Sequence, residues 1–288
     1  MIEQKYILEN PECFNLKDIF TCGQCFRWNE EKDGSYTGVV KDNVINIKKQ
    51  EKDYIIKSVG NDDIEKLVYK YFDLNRNYKE LQNKLSLIDE NMKKSIKYGQ
   101  GIRLLNQDLW ETLISFIISA NNNIPRIQKI IQRLSENYGK EIKFQNKNYY
   151  TFPTPEELKD VSVETYRSLG LGFRDKRIYE TTQIILRKDV DLEKLKQNPD
   201  TKQIREILLN LPGVGPKVAD CILLFSDLKR LEVFPIDVWV NRVMNELYIH
   251  EEEDKVNKKH VLKIAEEKFG DLAGLAQQYL FYWRREMK

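Results

Sequence analysis

The spacing of apolar positions changes period along the chain, and the change divides it in two. Tyr36–Val40 and Val44–Lys48 are short runs rich in β-branched and aromatic residues on either side of Lys41-Asp42-Asn43, which predicts a strand–turn–strand hairpin. Asp53–Val59 predicts a further strand, and residues 1 to about 60 read mainly as strands. From Asp62 the period lengthens: Ile64, Leu67, Val68 and Tyr71 recur at the i, i+3, i+4, i+7 spacing of a helix with one apolar face. Beyond residue 100 the pattern is helical. Trp110, Leu113, Ile114, Ile117 and Ile118 mark a strongly apolar helix face that Asn121-Asn122-Asn123 interrupts, and Pro125 opens a second helix with Ile127, Ile130, Ile131 and Leu134 inward. Residues 140–155, rich in Tyr, Asn and Pro, read as a loop, and helical spacing resumes at 156–168, 175–187 and 202–210. The run Glu251-Glu252-Glu253-Asp254 reads as a solvated loop leading into a helix from Lys255 to Phe269, with Gly270 as its C-terminal stop.

The chain has 288 residues, enough for two or three packed subdomains, and 41% hydrophobic content is sufficient for real cores. Lys and Arg total 47 against 45 Asp and Glu, a formal charge of only +2, so any nucleic-acid partner requires the positive charge to be gathered on one face. No signal peptide and no long apolar run is present, which predicts a soluble intracellular, cytoplasmic protein with no membrane partner. The four cysteines are Cys13, Cys22, Cys25 and Cys221. Cys22-Gly-Gln-Cys25 has the spacing of a redox pair or a zinc half-site. A structural zinc needs four ligands, and His250 and His260 lie far away in sequence, so zinc is disfavoured; the redox reading stays open.

The densest chemical signal is Leu211-Pro-Gly-Val-Gly-Pro-Lys217, with Asp237 twenty residues further on. It reads as helix, tight glycine turn, second helix. Pro212 cannot extend the first helix, Gly213 and Gly215 permit positive φ, and Pro216 suits a first helical position. Unpaired N–H groups beside a helix N-terminus form a phosphate-binding turn. A lysine in that first turn is opposed by the helix dipole, which suggests use as an amine nucleophile, its pKa lowered by burial and nearby positive charge. Position alone equally allows a solvated lysine that touches a phosphate. Asp237 reads as the N-cap of a helix starting near Val238, or as a carboxylate aimed into the cleft of Lys217; capping and chemistry are compatible.

Lys217, Asp237 and the turn between the two helices resemble the helix–hairpin–helix Gly/Pro…Asp superfamily of DNA glycosylases. Leu211–Cys221 is similar to the 8-oxoguanine DNA glycosylase family in particular, as are Cys22–Trp28, Ser115–Arg126, Leu169–Arg174 and Ala273–Phe281, in the family's order and spanning nearly the whole chain. The resemblance implies an α+β fold: an antiparallel sheet domain of TATA-binding-protein-like type over about 1–98, then an all-helical body over 99–288 with its helix–hairpin–helix near 202–226. It implies a bifunctional glycosylase and AP lyase acting, as a monomer, on damaged double-stranded DNA and removing 8-oxoguanine opposite cytosine. Lys217 is then the nucleophile and Asp237 its electrostatic partner. The implied lesion readers are the Gly23 carbonyl, which meets the N7–H that guanine lacks, the Cys221 and Phe281 pocket walls, and Gln277 at the Watson–Crick edge. Phe173 is implied to wedge into the duplex, with Asn121, Arg126 and Arg174 on the orphaned base. Gly213 and Gly215 line the DNA-binding turn, and the carbonyls of Leu209, Leu211 and Val214 are candidates for a structural cation. No iron–sulfur cluster is expected, since no cysteine follows Cys221.

The chain departs from the family at two places. Trp239 stands where a histidine is common after Asp237-Val238, and Arg284 stands where that histidine's acidic partner is common. Competing readings are a DNA-binding module without chemistry and a monofunctional alkylpurine glycosylase, which shares the fold but typically lacks the lysine.

Overall fold

A computed structural model describes residues 1–252 and 256–287. Five antiparallel strands, β1 (Ile2–Leu8), β2 (Trp28–Glu30), β3 (Tyr36–Val40), β4 (Asn43–Gln50) and β5 (Asp53–Gly60), form one sheet in the order β1-β5-β4-β3-β2. Lys41, at φ 53°, makes the β3–β4 turn. Period-two alternation sends Tyr36, Ile45, Ile47, Tyr54 and Ile56 into a core shared with Phe14, Phe20 and Phe72, beneath helices α1 (Leu16–Thr21) and α2 (Ile64–Tyr71). The short helix α1 lies in the stretch that reads as strand.

The opposite sheet face carries Val39, Val44 and Val59, and a second hairpin, β6 (Glu141–Phe144) and β7 (Lys147–Tyr150), covers them with Ile142 and Phe144. This corrects the loop expected over 140–155. Gln145 and Asn146 take φ of 48° and 61° at the tip, and the short alternation of Ile142 and Phe144 is the signal that the Tyr- and Asn-rich composition hides.

Helices α3 (Tyr78–Ser86) and α4 (Glu90–Tyr98) bury Tyr78, Leu85, Met92 and Ile96 in the same core as Leu113, Ile117, Leu275 and Tyr279. They pack with the helical body, while Leu105, further along the chain, lies in the sheet's core. The body continues with α5 (Leu109–Ser119), α6 (Ile124–Tyr138), α7 (Val163–Ser168), α8 (Asp175–Leu186) and α9 (Leu192–Gln197). It closes with α10 (Thr201–Leu209), α11 (Pro216–Phe225), α12 (Val238–Met244), α13 (Lys258–Phe269) and α14 (Ala273–Glu286). Helix α5 is buried from Leu109 to Ile118 except at Glu111, which makes it the axis of the body. The helix expected from Lys255 begins at Lys258; Glu253, Asp254 and Lys255 lie outside the described residues, and Gly270 closes the helix at φ 49°.

Helices α10 and α11, the two arms of the hairpin, are braced by the Arg205 guanidinium on Asp220, at 2.7 Å. Asp220 is buried; burial pushes its carboxyl up and Arg205 opposes that. Removing the carboxylate leaves the guanidinium without its partner. We expect Asp220→Ala to lower unfolding stability by about 2 kcal/mol, less than for a wholly buried pair because Arg205 keeps part of its side chain in water. Denaturant titration measures this as a fall in midpoint at unchanged slope.

Candidate active site

The hairpin turn puts an open helix end beside a half-buried amine. Gly213 holds φ 85°, and a Cβ there would meet Arg177 Cδ at 2.7 Å and Ile117 Cγ2 at 3.2 Å, so conformation and space both demand glycine. Gly215 is different, and corrects the expectation of positive φ: it is extended at φ −92°, ψ 178°, and a Cβ there meets nothing within 4 Å. The fold does not require glycine at 215. It caps α11 with no side-chain hydrogen bond, and Pro216 follows, so the Lys217 and Val218 N–H groups begin the helix without a side-chain acceptor.

Lys217 is half-buried, its Nζ 5.3 Å from the Phe116 ring centroid and against the Cys221 thiol one turn along the helix. Burial pushes that thiol up to about 11, with Lys217 opposing, so Cys221 is a neutral floor beneath the amine. It does not line the open part of the cleft. Asp237 caps α12, accepting the Val240 N–H at 2.8 Å, and the same carboxylate lines the cleft that Lys217 lines. The cleft encloses about 610 Å³, and its other walls include Gly23, Phe26, Phe116, Asn121, Trp239, Phe281 and Arg285. Among the described residues no ion pair within 4.0 Å joins Lys217 to Asp237.

Gly23, at φ 91°, faces Phe281: a Cβ would sit 3.4 Å from Phe281 Cε1 and 3.7 Å from Arg285 Nη1. One turn before Phe281 on α14, Gln277 is 5% exposed and its Oε1 is buried without a hydrogen-bond partner. Buried polar atoms are normally bonded, and Gln277 Oε1 is one of several without a partner among the described residues; Gln277 lies behind Phe281 and does not itself line the open cleft. Cys22 and Cys25 are free and buried, and burial holds the Cys22 thiol near 12 and Cys25 well above its ordinary value. Burial of both thiols disfavours the thiolate that a redox pair requires. Among the described residues no three His, Cys, Asp or Glu side chains gather to hold a metal ion, and no helix is long and apolar enough to cross a membrane.

A second cluster stands at the cleft rim. Gly170 and Gly172, at φ 99° and 58°, tighten a turn that presents Phe173, 55% exposed for an aromatic side chain. Its ring centroid is 4.1 Å from the Arg174 guanidinium carbon and 5.1 Å from that of Arg177. Asn121, at φ 51°, and Arg126 are exposed beside it. Arg174 is not: it is 2% exposed, and it donates to the carbonyls of Ala120, Asn121 and Leu171. Its Nε and Nη2 donate to the Asn121 loop and Nη1 to Leu171, four bonds from five N–H groups, with the guanidinium stacked 4.1 Å from the Phe173 centroid. Arg284 pairs with Glu246, and Trp239 lines the cleft. Sequence reading missed Arg177 and Arg285, each four residues after a pocket or wedge aromatic, a spacing that signals one helix face.

Two family models match consecutive parts of the chain: the 8-oxoguanine DNA glycosylase N-terminal domain over residues 6–113 and the HhH-GPD superfamily base excision DNA repair protein over residues 114–270. The N-glycosylase/DNA lyase of Saccharomyces cerevisiae is 33% identical over 92% of this chain and 82% of its own length. A structure of MBOgg1 with a low affinity DNA ligand superposes at TM-score 0.93, 45% identical, covering 100% of this chain and 99% of its own. The Clostridium acetobutylicum 8-oxoguanine glycosylase/lyase, in complex with double-stranded DNA holding cytosine opposite 8-oxoG, superposes at 0.92 with 40% identity, covering 100% of this chain and 98% of its own. The fold and cleft are thus those of a helix–hairpin–helix DNA glycosylase. Within that class, the chain belongs to the 8-oxoguanine DNA glycosylase family.

Because a methyl at 215 meets only open space, Gly215→Ala should leave unfolding stability unchanged or slightly raised. It should weaken duplex DNA binding about tenfold, read by fluorescence anisotropy, since the methyl occupies the approach to the uncapped α11 N-terminus.

Proposed function

We propose that this protein is a bifunctional N-glycosylase/DNA lyase of base-excision repair that removes 8-oxoguanine paired with cytosine by amine chemistry at Lys217. The observation that carries the reading is the convergence of Lys217 and Asp237 on one cleft beside the uncapped end of α11. The α11 N-terminus takes a backbone phosphate at Gly213 and Gly215. Phe173 fills the gap that the extruded base leaves, and Asn121 and Arg126 meet the orphaned partner, with Arg174 holding the Asn121 loop. The flipped base enters between Gly23 and Phe281. There the Gly23 carbonyl accepts the lesion's N7–H and Gln277 meets the Watson–Crick edge. Guanine would set an N7 acceptor against that carbonyl, which costs about 1–3 kcal/mol when neither can turn to water.

Lys217 Nζ donates its lone pair to C1′ as the glycosidic bond breaks and the base leaves with the bonding electrons. Asp237, held by its capping bond, stabilises the positive charge that develops on the sugar. The ring opens to the protonated Schiff base between Nζ and C1′. Loss of a C2′ proton then expels the 3′ phosphate and cuts the strand. The Cys221 thiol and Phe116 ring form the apolar side of the amine's site. In the hairpin, the Leu209, Leu211 and Val214 carbonyls suit a hard monovalent cation, although Leu211 already accepts the Val214 N–H at 3.1 Å and offers only its second lone pair. The protein acts as a monomer, in the cytoplasm.

The test is a single-turnover assay on duplexes carrying 8-oxoguanine opposite each of the four bases. We expect fastest excision opposite cytosine, with strand cleavage. Lys217→Gln should reduce excision and cleavage at least a thousandfold while duplex affinity stays within threefold. Excision that survives in Lys217→Gln would contradict the proposed nucleophile.

A further inference from the structure

The recognition turn is tied down on both sides of Gly23 by side-chain amides from separate elements. Before it, the buried Gln278 amide donates to the Cys22 carbonyl. After it, Gln107 Nε2 donates to the Gln24 carbonyl at 2.7 Å and also to the Phe225 carbonyl at 3.0 Å. Gln24 itself is fully buried and binds Ile19, Arg103 and Leu105 backbone groups at 2.8–2.9 Å. Among the described residues, no donor reaches the Gly23 carbonyl, so the middle of three consecutive carbonyls is the one left without a bond.

The origins of the two amides matter. Gln278 sits on α14 next to Gln277 and three residues before Phe281, so one helix offers its polar amide to the turn and its pocket residues to the base. Phe225 is the last residue of α11, the helix whose first turn carries Lys217. The Gln107 amide is therefore a bridge of two hydrogen bonds from the lesion-reading turn to the nucleophile's helix. Gly23, at φ 91°, has no Cβ to stiffen that peptide, so its orientation is decided by what holds its neighbours.

We propose that Gln278 and Gln107 are positioning residues for lesion discrimination. By fixing the carbonyls at 22 and 24, they aim the free Gly23 carbonyl at one point between Phe281 and the Lys217 helix. This rests on the reading that the Gly23 carbonyl tells 8-oxoguanine from guanine. A carbonyl that can swing relieves the lone-pair clash with guanine and loses the bond to the lesion, so loosening the turn erodes selectivity before it erodes chemistry.

The probe is affinity for two duplexes that resist cleavage, with 2′-fluoro-8-oxoguanosine or 2′-fluoroguanosine opposite cytosine, alongside β-elimination on a preformed abasic site. Wild-type protein, Gln278→Glu, Gln278→Leu and Gln107→Leu are compared. Gln278→Glu keeps the size of the side chain and removes its N–H donor; Gln107→Leu loosens the other side from a less buried position. We expect the 8-oxoguanine to guanine affinity ratio to fall at least tenfold in all three variants, with abasic-site cleavage within twofold of wild type. A preserved ratio in the variants overturns the inference, and so does a loss of cleavage equal to the loss of selectivity, which would mark the amides as general supports. If wild-type protein itself fails to prefer the 8-oxoguanine duplex, the Gly23 reading fails first and the inference goes with it.

Discussion

A helix that starts without a side-chain cap is the constraint on which the rest of this molecule depends. Most helices here begin at an Asn, Asp or Ser whose side chain accepts an N–H of the first turn, as Asn123, Asp108 and Asp237 do. Helix α11 begins at Gly215, which offers no acceptor, and its second residue is a lysine. Both choices are unfavourable for an isolated helix, because N–H groups go unmet and the dipole opposes the cation. They are tolerated because the remainder of α11, Val218 to Phe225, is buried against α5 and α10. Local preference is overruled by packing at this helix end, where the proposed reading places a backbone phosphate.

The cleft is assembled from parts that are distant in sequence. Gly23 arrives from the sheet unit, just after α1; Phe281 comes from α14; Lys217 is the second residue of α11; and Asp237 caps α12. Rigid scaffolding explains how such parts keep register. Helix α5 runs through the centre with nearly every side chain buried, and α14 packs on α4 and α12 while its Arg285 reaches back to the Thr21 carbonyl. Arg285 also stands 5.4 Å from the Phe281 ring centroid, so the guanidinium supports the aromatic wall.

Much of this was legible in the amino-acid order. The period change at Asp62, the break at Asn121 and the stop at Gly270 each correspond to an element boundary, because period and backbone chemistry are local. Lys217 and Asp237 could be paired because the turn that precedes the lysine is written contiguously. The features that stayed hidden are non-local. The β6–β7 hairpin is stabilised by Val39, Val44 and Val59 across a hundred residues of chain, and nothing near Gln145 announces that surface. Arg174 reads as a free basic residue until the fold tucks it under Phe173. The allegiance of α3 and α4 to the helical body is likewise set by partners on α14. Gly215 is the instructive case: a glycine in a turn reads as a conformational necessity, yet the backbone there is extended and its surroundings are empty, so nothing in the fold requires glycine there.

The account's central claim is that one amine, at position 217, bonds to the sugar carbon. Borohydride reduction during turnover of 8-oxoguanine duplex, followed by proteolysis and peptide mass mapping, tests it most directly. The account predicts a single reduced deoxyribose adduct on the peptide containing Lys217. An adduct on any other lysine, or none while excision and strand cleavage proceed, would contradict it.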